Sequence, residues 1–434
     1  MLDPKFIREN QQAVRHAIEN KKCEKVDLDK YLKLDEEAGK LQKIVEEARS
    51  RRNEISEKIG AADPENRENL IKEAGEIKEE LQKLEEDYEK VQAELEEIHL
   101  KIPNVVSPNM PVGEDDSENV AVRKWGEPKQ FDFKPSDHVD LGVALDIIDT
   151  EKAAQVSGTR FYYLKNEAVV LQFAIIQFVL KTLTDEKVLG EIADKTGNPY
   201  SKPFSPVVPP ILMRPEVMKK MDRLDPIDER YRTVQDNLVM VGSAEHTLGP
   251  IHMDEIFEKE DLPIRYIGYS TALRREAGSY GKDTRGIFRV HQFDKLEMET
   301  FVPEEYGEVE QEFIVGIQEY MMQQFGIPYQ IMQICTGDCG KPDYNQYDVE
   351  AWLPGQGKYR ETHTSDYMTD YQARRLNIRY RDDNDKKFVH MNDATGFAIG
   401  RILIAILENF QQEDGSVIVP EVLRGWAGIE RISA

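Results

Sequence analysis

Apolar residues return at alternating steps of four and three through Leu34, Ala38, Leu41, Val45, Ala48, Ile55 and Ile59, with Arg52 as the polar interruption. The same spacing recurs through Ala74, Ile77, Leu81, Leu84, Tyr88, Val91, Leu95 and Ile98. Two such seams predict long helices that pack on each other as a coiled coil. Between them GAADPEN, Gly60 to Asn66, supplies the Gly and Pro that end one helix and let the chain reverse. Each run covers about 30 residues, so the antiparallel hairpin extends about 40 Å at 1.5 Å per residue. Upstream, residues 1–26 read as a short amphipathic helix with Pro4 in its first turn and Phe6, Val14 and Ile18 as anchors. Periodicity alone fits a spacer, a dimerisation arm or an arm that touches a large ligand.

The texture changes after LKIPNVVSPNMPVGEDDSEN, where Pro103, Pro108, Pro111 and an acidic run predict a linker. Beyond it, ALDIIDTEKAAQV and AVVLQFAIIQFVLKTL read as helices. FSPVVPPILM, NLVMVGSAE, IRYIGYSTALRRE, GIFRVHQFDKLEMETFV and YDVEAWL read as strands. Strands joined mostly by short turns, with helices outside, predict an α+β fold on a mainly antiparallel sheet. The expected organisation is an N-terminal helical domain over residues 1–105, a linker over 106–119 and a second domain over 120–434.

Composition narrows the class. The 434 residues leave room for two or three domains. No run of about 18 consecutive apolar residues predicts a membrane span, and MLDPKFIRENQQ lacks a secretory pattern, so a cytoplasmic location is expected. Cys23, Cys335 and Cys339 are too few for a disulfide framework and read as reduced thiols. The formal charge of −25 argues against indiscriminate nucleic-acid binding, which rests on Lys and Arg. It leaves room for a local basic strip, and the hairpin carries Lys40, Lys43, Arg49, Arg51 and Arg52 close together.

Gly281-Lys282, Gly340-Lys341 and Gly357-Lys358 are not followed by Ser or Thr, so a P-loop is absent and arginines must hold any nucleotide. In LRREAGSYGKDTRGIFRVHQFDKLE, two strand-like pieces flank a loop with three glycines. Arg274 and Glu276 share a face on the first piece, a pair suited to a polyphosphate and a donor-rich base. Phe293 offers an aromatic face for stacking. A charged, solvated hairpin would carry the same residues. From Phe397 the chain is apolar nearly all round, and Arg401 inside that helix needs an anion or a carboxylate partner. Glu361 and Thr364 offer hard oxygen ligands of the kind Mg²⁺ accepts. In VGSAEHT, Ser243 and Glu245 alternate onto one face and suit a substrate ammonium.

Together these segments resemble the seryl-tRNA synthetases, a family of class II aminoacyl-tRNA synthetases, over essentially the whole chain. RREAGSYGKDTRG with HQFDKLE matches the family's second class II motif, and GRILIAILENFQQEDGSVIVPEVLRGW the third. KIPN, VSGTRFYYLKN, CTGD, WLPGQGKYRE and YQARR also fit. The resemblance implies a class II antiparallel sheet flanked by helices, with the two-helix arm reaching tRNA. It implies a homodimer, ATP and Mg²⁺ as cofactors, serine and serine tRNA (with selenocysteine tRNA where one exists) as substrates, and neither DNA nor a membrane as partner. Arg274 would hold the α-phosphate with Arg275 beside it, Glu276 the adenine amino group, Phe293 and Val290 the adenine ring, and Arg401 the γ-phosphate. Glu361, Thr362, His363 and Thr364 would face ATP, with Glu361 and Thr364 on its metal. Ser243, Ala244 and Glu245 would form the amino-acid loop, with Glu297 and Thr395 at the substrate side chain. Arg285 would meet nucleotide or the tRNA acceptor end, and Arg49, Arg51 and Arg52 the tRNA.

The chain departs from the family around the amino acid. The usual Pro-Thr-x-Glu is Gly242-Ser243-Ala244-Glu245 here, and the usual Asn-Gly-(Ser/Thr) is Asp393-Ala394-Thr395. The usual Glu-(Ile/Val)-Ser-Ser-Cys-Ser-Asn is Glu361 to Tyr367, with His363 and Asp366 among the changes, and a glycine-rich stretch is replaced by MDRLDPIDERY. These changes leave two alternatives: a ligase for another small polar amino acid, and a paralogue that loads an amino acid onto a carrier protein.

Overall fold

The structure is a computed structural model that describes residues 1–277, 283 and 285–434. Glycine-rich-loop residues 278–282 and 284, including the Gly281-Lys282 pair, lie outside the described residues, as does the Glu65 side chain. The chain divides into two compact units, Met1–Glu19 with Cys23–Pro103, and Asn20–Lys22 with Asn104–Ala434.

In the first unit the expected single N-terminal helix is two, α1 (Pro4–Glu9) and α2 (Gln11–Asn20), separated at Asn10. Asp3 caps α1 and Pro4 opens it. Ile7, Val14 and Ile18 are buried, and Phe6 only partly so. The heptad runs form α3 (Leu28–Ala61) and α4 (Pro64–Lys101). Their connection is tight because Asp63 caps α4 through the Asn66 N–H and Pro64 takes its first position. Leu34, Ala38, Val45, Ala48 and Ile55 on one helix and Ile77, Leu81 and Leu95 on the other are buried, and Arg52 is exposed.

The second unit is built on strands β1 (Val120–Trp125), β2 (Ser205–Val207), β3 (Ile264–Leu273), β4 (Gln292–Val302), β5 (Tyr329–Gln333), β6 (Asn345–Leu353), β7 (Lys358–Tyr367) and β8 (His390–Ala398). They form one eight-stranded sheet in the order β1-β5-β6-β7-β8-β4-β3-β2, antiparallel except for β2 against β3. Residues 286–291, expected as strand, precede β4 as irregular backbone, and β3 stops before Arg274. Residues 358–367 and 390–396, not read as strands from sequence, are central strands.

Among the helices that supply apolar residues to the core are α5 (Asn166–Leu183), α6 (Gly307–Phe325) and α7 (Ile399–Phe410). Phe325 on α6 stacks on Phe397 at 5.2 Å and meets Phe178 on α5 at 5.0 Å. By length and composition α5 matches a membrane span, with mean hydropathy 1.3 over 18 residues. Half of it is buried inside the protein, with Leu171, Ile175 and Val179 fully enclosed. Residues 106–119, expected as a linker, and Asn104 just before them run along this unit instead. The Asn104 side chain donates to the Pro342 and Met368 carbonyls, and the Thr336 and Gly337 N–H groups donate to Pro111 and Gly113. Buried backbone needs such partners, and these fix the segment.

Candidate active site

Alternation along the strands gives the sheet two unlike faces. On β4, Leu296 and Met298 join the apolar core, while Lys295, Glu297 and Glu299 occupy the intervening positions. On β8, Ala394 lies opposite Met298 and Thr395 opposite Glu297. Two bulges adjust this pattern. Pairing of β6 with β7 steps from Val349–His363 to Glu350–Glu361, leaving Thr362 extra. Pairing of β8 with β4 steps from Thr395–Glu297 to Phe397–Leu296, leaving Gly396 extra. Residues three apart thereby share a face: Glu361 with Thr364, and Thr395 with Ala398, all line one cleft of about 630 Å³.

That cleft gathers residues from all three sequence clusters: Arg274 and Glu276, Glu361 and Thr364, and Arg401, with Val290, Phe293, Thr362 and Thr395. Arg274 Nε donates to the Gly242 carbonyl at 2.9 Å, and its guanidinium stands 5.3 Å from the Phe293 ring centre. Glu276 adopts the left-handed conformation at φ 53°, uncommon for a side-chain-bearing residue, and accepts from Arg289 at 2.9 Å. Arg401 Nη1 donates to Glu361 Oε1 at 2.5 Å. Burial pushes the Glu361 carboxyl up, but Arg401, with Arg274 and Lys295 behind it, holds the group below its ordinary range. Phe288 lies 3.7 Å from the Arg360 guanidinium and 4.7 Å from that of Arg401.

The other end of the polar face is built by close approach. A side chain at Gly268 on β3 would come within 2.6 Å of Leu248 and 3.4 Å of Ala244, so glycine lets the segment carrying Ser243 to Leu248 lie on the sheet. Ser243 Oγ donates to Glu297 at 3.2 Å, and Lys295 Nζ reaches the same carboxylate at 2.5 Å. Carboxylate oxygens of Glu245, Glu297 and Asp393 fall within 4.8 Å of one another. Burial raises Glu297 to about 7, with Glu245 adding to the rise and Lys295 opposing it. Burial raises Glu245 too, yet Arg223, His246, Lys295 and Arg274 together hold it at about 2. Asp393 and Asp366 are pushed well up, by burial first and then by neighbouring carboxylates. Thr364 and Thr395 hydroxyls meet at 3.3 Å across β7 and β8. Ala244 is fully buried and contributes spacing rather than a polar group.

Some expected residues lie elsewhere. His363 does not line the cleft; the bulge at Thr362 turns its ring into the apolar layer, 4.7 Å from Phe397. Arg275 is exposed outside the lining, its N–H donating to the Glu229 carbonyl. Arg285 is exposed, 3.8 Å from Asp140, in a separate depression. On the hairpin, Arg49 pairs with Glu85 at 2.7 Å and Arg51 with Glu80 at 3.2 Å, while Arg52 donates to Asn53 at 3.1 Å. Two arginines of the expected basic strip, Arg49 and Arg51, are thus paired with carboxylates of α4. Sequence reasoning missed Lys295, Phe288 and Arg223. Two acidic departures, Asp366 and Asp393, were the available signal for Arg223, since buried carboxylates call for a cation.

The donor set fits a magnesium–nucleotide complex. Glu361 keeps 40% of its side chain exposed, and the Thr364 hydroxyl shares its face.

The model of the seryl-tRNA synthetase N-terminal domain matches residues 1–106, and that of the tRNA synthetase class II core domain (G, H, P, S and T) matches residues 229–410. The serine–tRNA ligase of Dictyoglomus turgidum is 41% identical over 437 residues, covering 100% of this chain and 99% of that protein. A crystal structure of seryl-tRNA synthetase from Pyrococcus horikoshii complexed with ATP superposes with TM-score 0.88 at 36% identity, covering 100% of this chain and 99% of that one. The cytoplasmic serine–tRNA ligase of Naegleria fowleri in complex with AMP gives TM-score 0.86 at 29% identity, covering 100% and 99%.

Proposed function

This chain belongs to the seryl-tRNA synthetase family, and from that premise we propose that it activates serine with ATP and transfers it to serine tRNA. One observation carries the reading. Arg274, Glu361 and Arg401, remote in sequence, line a single cleft whose floor continues into the Ser243–Glu245–Glu297–Thr395 cluster.

In the first step the serine carboxylate oxygen attacks the α-phosphorus of ATP. The bond to the bridging oxygen of the β-phosphate breaks, and pyrophosphate leaves. Charge builds on the α-phosphoryl oxygens, where the Arg274 guanidinium is positioned to stabilise it. Glu276 accepts from the adenine amino group, and Phe293 with Val290 covers the ring. Arg401, held by Glu361 and set against Phe288, binds the γ-phosphate end. Glu361 and Thr364 would hold Mg²⁺, which when bound neutralises phosphate charge. At the other end Ser243 and Glu245 receive the serine ammonium, and Glu297 and Thr395 the hydroxyl. In the second step a terminal ribose hydroxyl of the tRNA attacks the seryl carbonyl and AMP leaves with the phosphate oxygen. Most of this catalysis is positioning and charge stabilisation.

The reading extends to a homodimer and a cytoplasmic setting. Val170 and Phe173 on α5 leave apolar surface exposed, which supports a subunit contact there. The hairpin is assigned to tRNA, with Arg52, which donates to the Asn53 side chain rather than to a carboxylate, the contact favoured among Arg49, Arg51 and Arg52. ATP–pyrophosphate exchange across the common amino acids tests the assignment. Serine should support exchange, with threonine, alanine, cysteine and glycine far behind; preference for another amino acid, or carrier-protein acylation without tRNA, would overturn it.

A further inference from the structure

We propose that Arg223 is a positioning residue that sets the amino-acid end of the cleft by holding Glu245 and Asp393 together, and that Arg230 and Gly242 are its structural complement. The proposal rests on the serine-binding role assigned to Glu245 above.

Arg223 comes from MDRLDPIDERY, the stretch that matches no motif. Its Nη2 donates to Asp393 Oδ2 at 3.1 Å and lies 3.6 Å from Asp343 Oδ1, while Nε stands 3.4 Å from Glu245 Oε1. Asp343 and Asp393 are almost completely buried, and Asp366 lies opposite Asp393 across β7 and β8. Carboxylates enclosed this way need a cation held in fixed geometry, and a guanidinium can serve several at once. An asparagine at 393 would need none. Arg223 and Asp393 therefore read as one paired departure.

The backbone of Arg223 is fixed by a second arginine. Arg230 Nε and Nη2 donate to the Arg223 carbonyl at 3.0 and 2.7 Å. A side-chain carbon at Gly242 would stand 3.0 Å from Arg230 Nη1 and 3.4 Å from the His246 ring, so the pyrrolidine usual at this position would press on the Arg230 guanidinium. The Gly242 N–H also donates to His246 Nδ1 at 3.1 Å, a bond proline cannot make. The Gly242 carbonyl accepts from Arg274, so the same residue ties the amino-acid loop to the α-phosphate arginine. Loss of the proline, gain of Arg230 and gain of Asp393 are one physical unit around Arg223.

The test uses the full-length protein and KM values for serine and ATP measured separately by pyrophosphate exchange. R223Q should raise the serine KM at least tenfold with the ATP KM within twofold, and R223K should recover part of the loss. A serine KM within twofold of wild type, or equal losses for serine and ATP, would overturn the proposal. Should R223Q fail to fold, the G242A and R230A pair decides. Each single change should raise the serine KM, and the double variant should be no worse than the poorer single; multiplying effects would overturn it. Absence of serine-dependent exchange by the wild type would instead refute the serine reading itself.

Discussion

Replacing Arg274 by Gln separates chemistry from architecture. Among the described residues the Arg274 side chain makes one hydrogen bond, to the Gly242 carbonyl, and one contact over the Phe293 ring. The hydrogen bond contributes about 1 kcal/mol, and the ring contact about 0.5–1 kcal/mol at a half-buried site. Glutamine keeps a donor, so the stability loss should stay below about 2 kcal/mol. A preorganised donor aimed at developing transition-state charge contributes about 2.7–4 kcal/mol, or about 10²–10³ in kcat. The expected variant is folded, with a melting temperature lowered by only a few degrees, ATP affinity reduced modestly and exchange turnover reduced at least a hundredfold. Thermal unfolding, calorimetric titration with ATP and exchange kinetics measure the three quantities independently. A turnover loss below tenfold, or one that disappears once the unfolded fraction is subtracted, would refute the assignment of Arg274 to the α-phosphate.

Four further outcomes are expected. Glu297 is raised to about 7, burial being the main cause, so it is protonated in the unliganded enzyme below that pH. The serine KM should climb by up to about tenfold per unit as pH falls below 7 and level off above it, and E297Q should abolish the slope; a flat wild-type profile from pH 5.5 to 7 would contradict this. Because its folded pKa is raised, the same group makes the folded chain bind more protons than the unfolded one between the ordinary 4.5 and about 7, so its contribution to stability falls as pH rises through that window. Deleting residues 27–100 should abolish tRNA charging while sparing serine-dependent pyrophosphate exchange, and equal charging by the shortened protein would remove the arm from tRNA binding. Neutralising Arg52 should lower the salt slope of tRNA binding by about 1, whereas R49Q and R51Q should each cost stability by less than about 1 kcal/mol, as exposed pairs do; an unchanged slope in R52Q would exclude that contact.

The hairpin was legible because its two seams are enclosed by little except each other, so burial follows the heptads directly. Arg274, Glu276 and Arg401 stood out in the sequence for a chemical reason, since guanidinium and carboxylate groups suit phosphate and a donor-rich base, and the structure brings the three to one cleft. Strands β7 and β8 were not legible. Their polar residues, Glu361, Thr364, Asp366, Asp393 and Thr395, face a cleft inside the protein, and local hydropathy reads such residues as turn or loop. His363 was expected at the nucleotide with the whole stretch Glu361 to Thr364, and nothing local marks Thr362 as the extra residue that leaves the His363 ring against Phe397. The segment 106–119 looks like a linker by its prolines, yet the Ser107 N–H donates to the Tyr344 carbonyl and the Pro111 and Gly113 carbonyls accept from Thr336 and Gly337, more than two hundred residues away. Arg223 escaped for the opposite reason to Arg274: its partners are this chain's own carboxylates rather than a demand of the substrate.

The extra residues in β7 and β8 mark places where those strands could lose a residue without turning over. With Thr362 removed, Glu361 would stand next to His363 and still opposite Glu350, and plain alternation would keep Glu361 toward the cleft and His363 toward the apolar layer. Removing Gly396 would likewise leave Thr395 opposite Glu297 and Phe397 opposite Leu296. A single residue inserted at a regularly paired position of the same strands has no such slack and would turn every side chain beyond it to the other face.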